Sequence, residues 1–176
     1  MFPLTRMAAV ASLLLAAGAH AADKPSSFVL TAYSNDAAGA EVLSGQYKSA
    51  LELLAHPKSD SQLYYTAART NECVAYSALR QLDEAQVACD RAISTAKRSK
   101  VPVQGLRARR DQNEMIALAY SNRAVLRWMR NDDANAAADM DTAMKLAPRA
   151  DFVARNMLAL SAPGSKLARV EVVAPK

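Results

Sequence analysis

The chain has 176 residues, of which 51% are hydrophobic, with only five Gly and three Phe. This length suits one domain, and a composition rich in Ala and poor in aromatic residues favours closely packed helices. The formal charge of +5 and the pI near 9.4 are typical of proteins that bind nucleic acid. The N-terminal segment predicts export, however, and export excludes that class of partner.

The N-terminal segment has the pattern of a secretory signal. Arg6 precedes an apolar run over residues 7–17, and small residues follow at Ala19 and Ala21. The run is shorter than the ~20 apolar residues that cross a bilayer, and no later segment is apolar enough to do so. We therefore predict a signal peptide over residues 1–21, cleaved after Ala21 with Ala22 as the alternative, and a mature protein in the periplasm with no transmembrane segment.

The elements that follow are mainly helical. Residues 22–35 are an N-terminal extension, in which 28–31 is prone to form a strand. We predict two antiparallel helices in each of the segments 61–100 and 103–147, because apolar residues recur at steps of three and four on one face of each helix. A closing helix is predicted over 149–160. The tail, 161–176, contains a second β-prone run at 167–173, so the two β-prone runs either pair with each other or are both flexible.

The two helical pairs repeat each other. Asn71, Ala85 and Ala92 in the first pair correspond to Asn122, Ala136 and Ala143 in the second, at a constant offset of 51 residues. A weaker copy lies upstream at residues 45–50, where Ala50 precedes Ala85 by 35 residues. The repeat indicates an interaction scaffold rather than a catalyst.

These units resemble tetratricopeptide repeats. The small residues Ala124, Ala136 and Ala143 and the terminal Pro148 match the family pattern, as do Cys73, Ala85 and Ala92 in the preceding unit. The resemblance implies an all-α fold over residues 36–160, with about three antiparallel helical hairpins in a solenoid and a C-terminal capping helix. It also implies a non-catalytic protein whose concave groove binds a protein or peptide segment.

The same resemblance assigns the groove residues. They lie on the first helix of the second and third units: Asn71, Val74, Ser77, Ser121, Asn122, Val125, Trp128 and Met129. Trp128 is the single Trp of the chain, and it either anchors a partner side chain or contacts the preceding unit.

The two cysteines lie in one helical pair of a protein predicted to be exported. Antiparallel helices that turn near Gln81 bring Cys73 opposite Cys89. An oxidising compartment favours a disulfide between them, and the alternative is two small buried packing residues.

A basic stretch offers a second binding hypothesis. It comprises Lys97, Arg98, Lys100, Arg107, Arg109 and Arg110. These residues are either a solvated helix end and loop or a surface for an anionic polymer or membrane headgroups, which would bring the protein into peripheral contact with the envelope.

Residues for catalysis are scarce. His56 is the sole histidine after the predicted signal peptide, and the sequence has neither a Gly-rich phosphate loop nor a nucleophile elbow. We therefore predict no enzymatic activity, no cofactor and no metal. Three short repeats leave apolar hairpin ends, so self-association into a homo-oligomer stays open.

Overall fold

The structure is a computed structural model, and it describes residues 27–35, 38–56, 61–99, 105–162 and 168–175. Its helices and strands are, in chain order, β1 (Ser27–Thr31), α1 (Gly39–Leu43), α2 (Tyr47–Leu54), α3 (Gln62–Ala78), α4 (Leu82–Arg98), α5 (Leu106–Met129), α6 (Asp133–Leu146), α7 (Asp151–Ser161) and β2 (Arg169–Val173). The prediction of a mainly helical protein is confirmed, with one small sheet added. The predicted signal peptide, residues 1–21, lies outside the described ranges.

The predicted helical segments are present. The pair expected over 61–100 corresponds to α3 and α4, the pair over 103–147 corresponds to α5 and α6, and the closing helix is α7. Helix α4 illustrates why these segments are helical, since its first turn is acidic and its last turn is basic. Both charges complement the helix dipole.

Three turns between helices have the same geometry. Each contains a residue of positive φ, namely Gly45 (79°), Arg80 (60°) and Asn131 (60°). The residue after it donates its N–H to the carbonyl five positions earlier, with N···O distances of 2.8, 3.0 and 2.9 Å respectively. This hydrogen bond is typical of a Schellman motif and ends the helix. The turns are separated by the 35 and 51 residues of the sequence repeat, so the repeat extends to local backbone structure.

Small residues bring neighbouring helices together. Helix α3 packs on α4 and α5 on α6, while α3, α5 and α7 contact one another in that order. Ala85, Ala92, Ala136 and Ala143, the repeated alanines of α4 and α6, have no exposed surface. Their short side chains allow the close helix approach that the composition predicts.

The predicted disulfide is confirmed. Cys73 of α3 and Cys89 of α4 are bonded with an S–S distance of 2.04 Å, and their Cα atoms lie 4.7 Å apart. The bond closes a loop of 16 residues. On the chain-entropy model, a loop of this size gives about 3 kcal/mol of stabilisation.

The two β-prone runs pair with each other. Strands β1 and β2 form a parallel two-stranded sheet in which Ser27 is opposite Arg169 and Thr31 is opposite Val173. The backbone N–H of Ala32 extends the pairing with a 2.9 Å bond to the carbonyl of Val173. The sheet therefore joins the predicted N-terminal extension to the predicted tail, and it lies against the helices.

The hydrophobic core surrounds β1. Phe28 and Leu30 point to one side and pack with residues of α2, α3 and α5, whereas Val29 packs on the other side with residues of α5, α6 and α7. Both faces of the strand are thus covered. No helix within the described ranges is both long and apolar enough to span a bilayer.

Candidate functional site

Three buried asparagines bind the backbone of β1 and of the residues just after it. Asn156 of α7 accepts from the Val29 N–H at 2.7 Å and donates to the Val29 carbonyl at 2.9 Å. Asn122 of α5 makes the same two bonds with Thr31, both at 2.8 Å. Asn71 of α3 makes them with Tyr33, at 2.8 and 3.0 Å. We call Asn71, Asn122 and Asn156 the asparagine ladder.

The ladder follows the geometry of an extended chain. In a strand, the N–H and C=O of alternate residues point to the same side. A primary amide carries both a donor and an acceptor, so one Asn satisfies both backbone groups of one residue. The three helices thus contact every second residue of the chain, and all three Asn side chains have no exposed surface. The ladder makes no contact that depends on the side chain of the bound residue.

The side chains of β1 fill an apolar groove formed by the helices. The ring of Phe28 lies against that of Trp128, with ring centroids 4.3 Å apart. Phe28 is 2% exposed, and Val29 and Leu30 are fully buried. The groove therefore holds an extended segment with three consecutive apolar residues, bound through both its backbone and its side chains.

The residues predicted to bind a partner meet in this groove. Asn71 and Asn122 belong to the ladder, and Val74 and Val125 are part of the core around β1. The Ser121 hydroxyl accepts a 2.8 Å hydrogen bond from Asn156.

The remaining groove residues differ in exposure. Ser77 is fully buried, and its hydroxyl has no hydrogen-bond partner among the described residues. Trp128 and Met129 are half-buried and pack against the core. Among the predicted groove residues, Asn122 and Trp128 contact β1 and Asn71 binds Tyr33 just after it, so binding of a separate partner there stays a prediction.

Sequence reasoning missed two parts of the site. Asn156 follows Asn122 by 34 residues, the tetratricopeptide period, and that spacing could have revealed it. The position of β1 in the groove has no such local signal. Trp128 contacts Phe28 of β1, a contact that neither of the two predicted roles of Trp128 anticipated.

Ion pairs fix the helices behind the groove. Arg123 of α5 binds the carboxylate of Asp139 at 2.7 and 2.8 Å and that of Asp90 at 2.6 Å, and Arg127 reaches Asp139 at 2.8 Å. Burial alone would lower the pKa of Arg123, but its hydrogen bonds to Asp139 and Asp90 outweigh that effect and raise the pKa. These charges therefore link α4, α5 and α6.

Tyr33 lies where the chain leaves the groove. Its backbone binds Asn71, and its side chain lines a small cavity with Asp111, Glu114 and Pro175. Burial raises the pKa of Tyr33, and the nearby Glu114 carboxylate raises it further. The phenol is therefore held neutral well above its usual pH range.

The basic stretch spans the end of α4 and the start of α5. Lys97 is bound to the Tyr120 hydroxyl at 2.7 Å and lies over its ring. The side chains of Arg98, Arg107, Arg109 and Arg110 are exposed, and none of them forms an ion pair with another described residue. Lys100 lies outside the described ranges.

The described part of the chain contains no group of three His, Cys, Asp or Glu residues placed to hold a metal ion. His56 is exposed at the end of α2. Comparisons of the chain with protein-family profiles, with curated proteins and with solved structures found no match.

Proposed function

We propose that this protein is a non-catalytic interaction scaffold of the tetratricopeptide type, exported to the periplasm, which binds an extended protein segment in its groove. The observation that carries the proposal is the asparagine ladder, because three helices place Asn side chains at the spacing of alternate strand residues. A surface with this spacing recognises extended backbone. The apolar groove beside it selects segments with consecutive hydrophobic residues.

The partner segment takes the place of β1. Only five residues separate the predicted cleavage site after Ala21 from Ser27, so β1 is close to the chain end. It can leave the groove without breaking any helix. While it is bound, β1 competes as an intramolecular ligand, and a short tether gives it an effective concentration in the mM range. A partner must therefore offer a closely matching strand or meet the protein before β1 has docked.

A labelled peptide with the sequence of residues 26–33 tests this mechanism. Wild-type mature protein should bind the peptide weakly, because its own β1 competes. Leu30→Asp places a charge in the core and should release β1, so that the peptide binds at least about tenfold more tightly by fluorescence anisotropy. Adding Asn122→Ala to Leu30→Asp should reverse this gain, because the ladder loses its central member.

The control is Leu63→Asp, because Leu63 is an exposed residue of α3. This variant should bind the peptide as the wild type does. If the Leu30→Asp protein keeps its helical circular dichroism and does not bind the peptide, the groove does not accept strands in trans. If Leu30→Asp unfolds the helices, β1 is an obligatory part of the core rather than a replaceable ligand, and the proposed function fails.

A second candidate function is binding of an anionic polymer or membrane surface. Arg107, Arg109 and Arg110 at the start of α5 favour it, since they are exposed and form no ion pair with another described residue. Binding through these charges should weaken steeply with salt, because the Debye length falls to ~8 Å at physiological ionic strength. Peptide binding in the apolar groove should change little, so titrations with anionic vesicles and with the peptide at two salt concentrations separate the two functions.

Export is tested by fractionation and thiol labelling. The predicted signal peptide and the Cys73–Cys89 disulfide both favour an oxidising compartment. In a bacterial host, the cleaved protein should appear in the periplasmic fraction with both cysteines protected from alkylation. A cytoplasmic, reduced and uncleaved protein would contradict the proposed location.

A further inference from the structure

Within the described part of the chain, strand β2 is paired along one edge only, the edge that faces β1. Parallel pairing directs the backbone groups of Arg169, Glu171 and Val173 towards β1. The N–H and C=O groups of Val170 and Val172 therefore point the other way, and no described backbone group pairs with them. An open edge of this kind is a template for another strand.

The open edge carries a self-complementary sequence. Around Val170, residues 168–172 have the order Ala, Arg, Val, Glu, Val. When two such strands align antiparallel with Val170 opposite Val170, apolar residues face apolar residues and Arg169 faces Glu171 of the second copy. These charges fall at non-hydrogen-bonded positions, where side chains across a sheet lie closest together.

The surrounding charges favour the same arrangement. Arg169 is exposed and makes no ion pair with any described residue, while Glu171 binds Arg155 of α7 at 3.0 Å. The side chain of Glu171 is still 52% exposed, which leaves room for a second cation. In the aligned pair, each Glu171 would lie between Arg155 of its own chain and Arg169 of the other.

We infer that two copies of this protein associate through the open edge of β2, forming a four-stranded sheet of order β1-β2-β2-β1 with Val170 at the two-fold axis. An edge strand whose charges all had the same sign would repel the same strand of a second copy. Arg169 and Glu171 instead attract each other across the two copies when Val170 lies opposite Val170. Pairing of two five-residue strands buries less surface than a standard stable interface. The dimer is therefore weak, with a dissociation constant of roughly 10–500 µM. This inference is independent of the proposed function.

Sedimentation equilibrium of the mature protein across that concentration range tests the inference. Arg169→Glu places like charges opposite each other at both symmetric positions and should weaken the dimer about tenfold or more. Glu171→Arg should do the same. The triple variant Arg155→Glu, Arg169→Glu and Glu171→Arg reverses all three charges, so that residue 171 again lies between two opposite charges, and it should return the dissociation constant to within about fivefold of the wild type. Arg91→Glu, an exposed charge reversal on α4, should have no effect.

Val170→Pro tests the backbone pairing. Proline removes the N–H of Val170, which points away from β1, and so blocks the new edge without removing a donor used by β1. The dimer should disappear while circular dichroism and thermal unfolding stay close to the wild type. The inference is overturned if the wild type is monomeric throughout, if Val170→Pro leaves the dimer intact, or if the triple charge variant dimerises as weakly as the single variants.

Discussion

Replacing Asn122 by Ala should lower the free energy of unfolding strongly, although Asn122 has no role in helix formation. The Asn122 side chain makes two 2.8 Å hydrogen bonds to the backbone of Thr31, and Thr31 is only 1% exposed. The Ala variant therefore loses two hydrogen bonds and leaves the N–H and C=O of Thr31 buried without partners. Each such group costs about 1–3 kcal/mol. Partial relaxation of the strand reduces the sum, so we expect a loss of about 2–4 kcal/mol.

The measurement is urea unfolding followed by circular dichroism, with thermal unfolding beside it. For a domain of this size, 1 kcal/mol corresponds to about 2–4 °C, so the midpoint should fall by roughly 4–16 °C. Asn113→Ala is the matched control, since Asn113 is an exposed residue of the same helix. It carries the same gain in helix propensity without touching β1, and its stability should change by less than about 1 kcal/mol.

The Asn122→Asp variant separates the hydrogen bond that Asn122 accepts from the one that it donates. Aspartate can still accept a hydrogen bond from the Thr31 N–H, but when ionised it cannot donate to the Thr31 carbonyl. It also buries a charge, so at neutral pH it should cost at least as much as Ala. If Asn122→Ala costs less than about 1 kcal/mol relative to the Asn113→Ala control, Asn122 does not hold β1 as described here.

Three further predictions concern the supports of the groove. Replacing both Cys73 and Cys89 by Ala should lower the free energy of unfolding by about 3 kcal/mol in urea titrations. A reductant should destabilise the wild type but not this variant. If the reductant destabilised both proteins equally, the result would argue against the disulfide. Asp139→Ala leaves Arg123 and Arg127 without their buried partner and should lower the free energy of unfolding by about 2–4 kcal/mol. Asp90 is more exposed, so Asp90→Ala should lower it by less than about 1 kcal/mol. Equal losses for the two variants would contradict the burial of this ion cluster. Because the pKa of Tyr33 is raised in the folded state, the unfolded chain releases the phenolic proton first, so stability should fall as pH rises above about 10. Tyr33→Phe should flatten that fall, and an unchanged pH profile would show that Tyr33 is not buried as described.

The helical part of the fold could be predicted because its signals are local. Apolar residues at steps of three and four define α3 to α7, and the offset of 51 residues places Asn71 and Asn122 at equivalent positions. The facing cysteines follow from the turn near Gln81 alone. Each of these inferences uses spacing within one helical pair or between two copies of it.

The filled groove could not be predicted in the same way. Ser27 and Arg169 pair across almost the whole chain, and a five-residue apolar run does not identify the surface on which it packs. The resemblance to tetratricopeptide repeats implied an open groove for a partner, whereas β1 lies in it. The role of Asn156 depends on β1 as well, because its hydrogen bonds are made to Val29.

Residue-resolved amide hydrogen exchange of the mature protein tests most directly that the groove holds an extended segment through its backbone. The amides of Val29, Thr31 and Tyr33 donate to the three ladder asparagines. We expect them to be strongly protected and to exchange through release of β1 from the groove, far more slowly than an unstructured chain terminus but no more slowly than amides in the centre of α3 and α5. Exchange of all three within minutes, at the rate of an unstructured chain terminus, would show that the N-terminal segment does not occupy the groove.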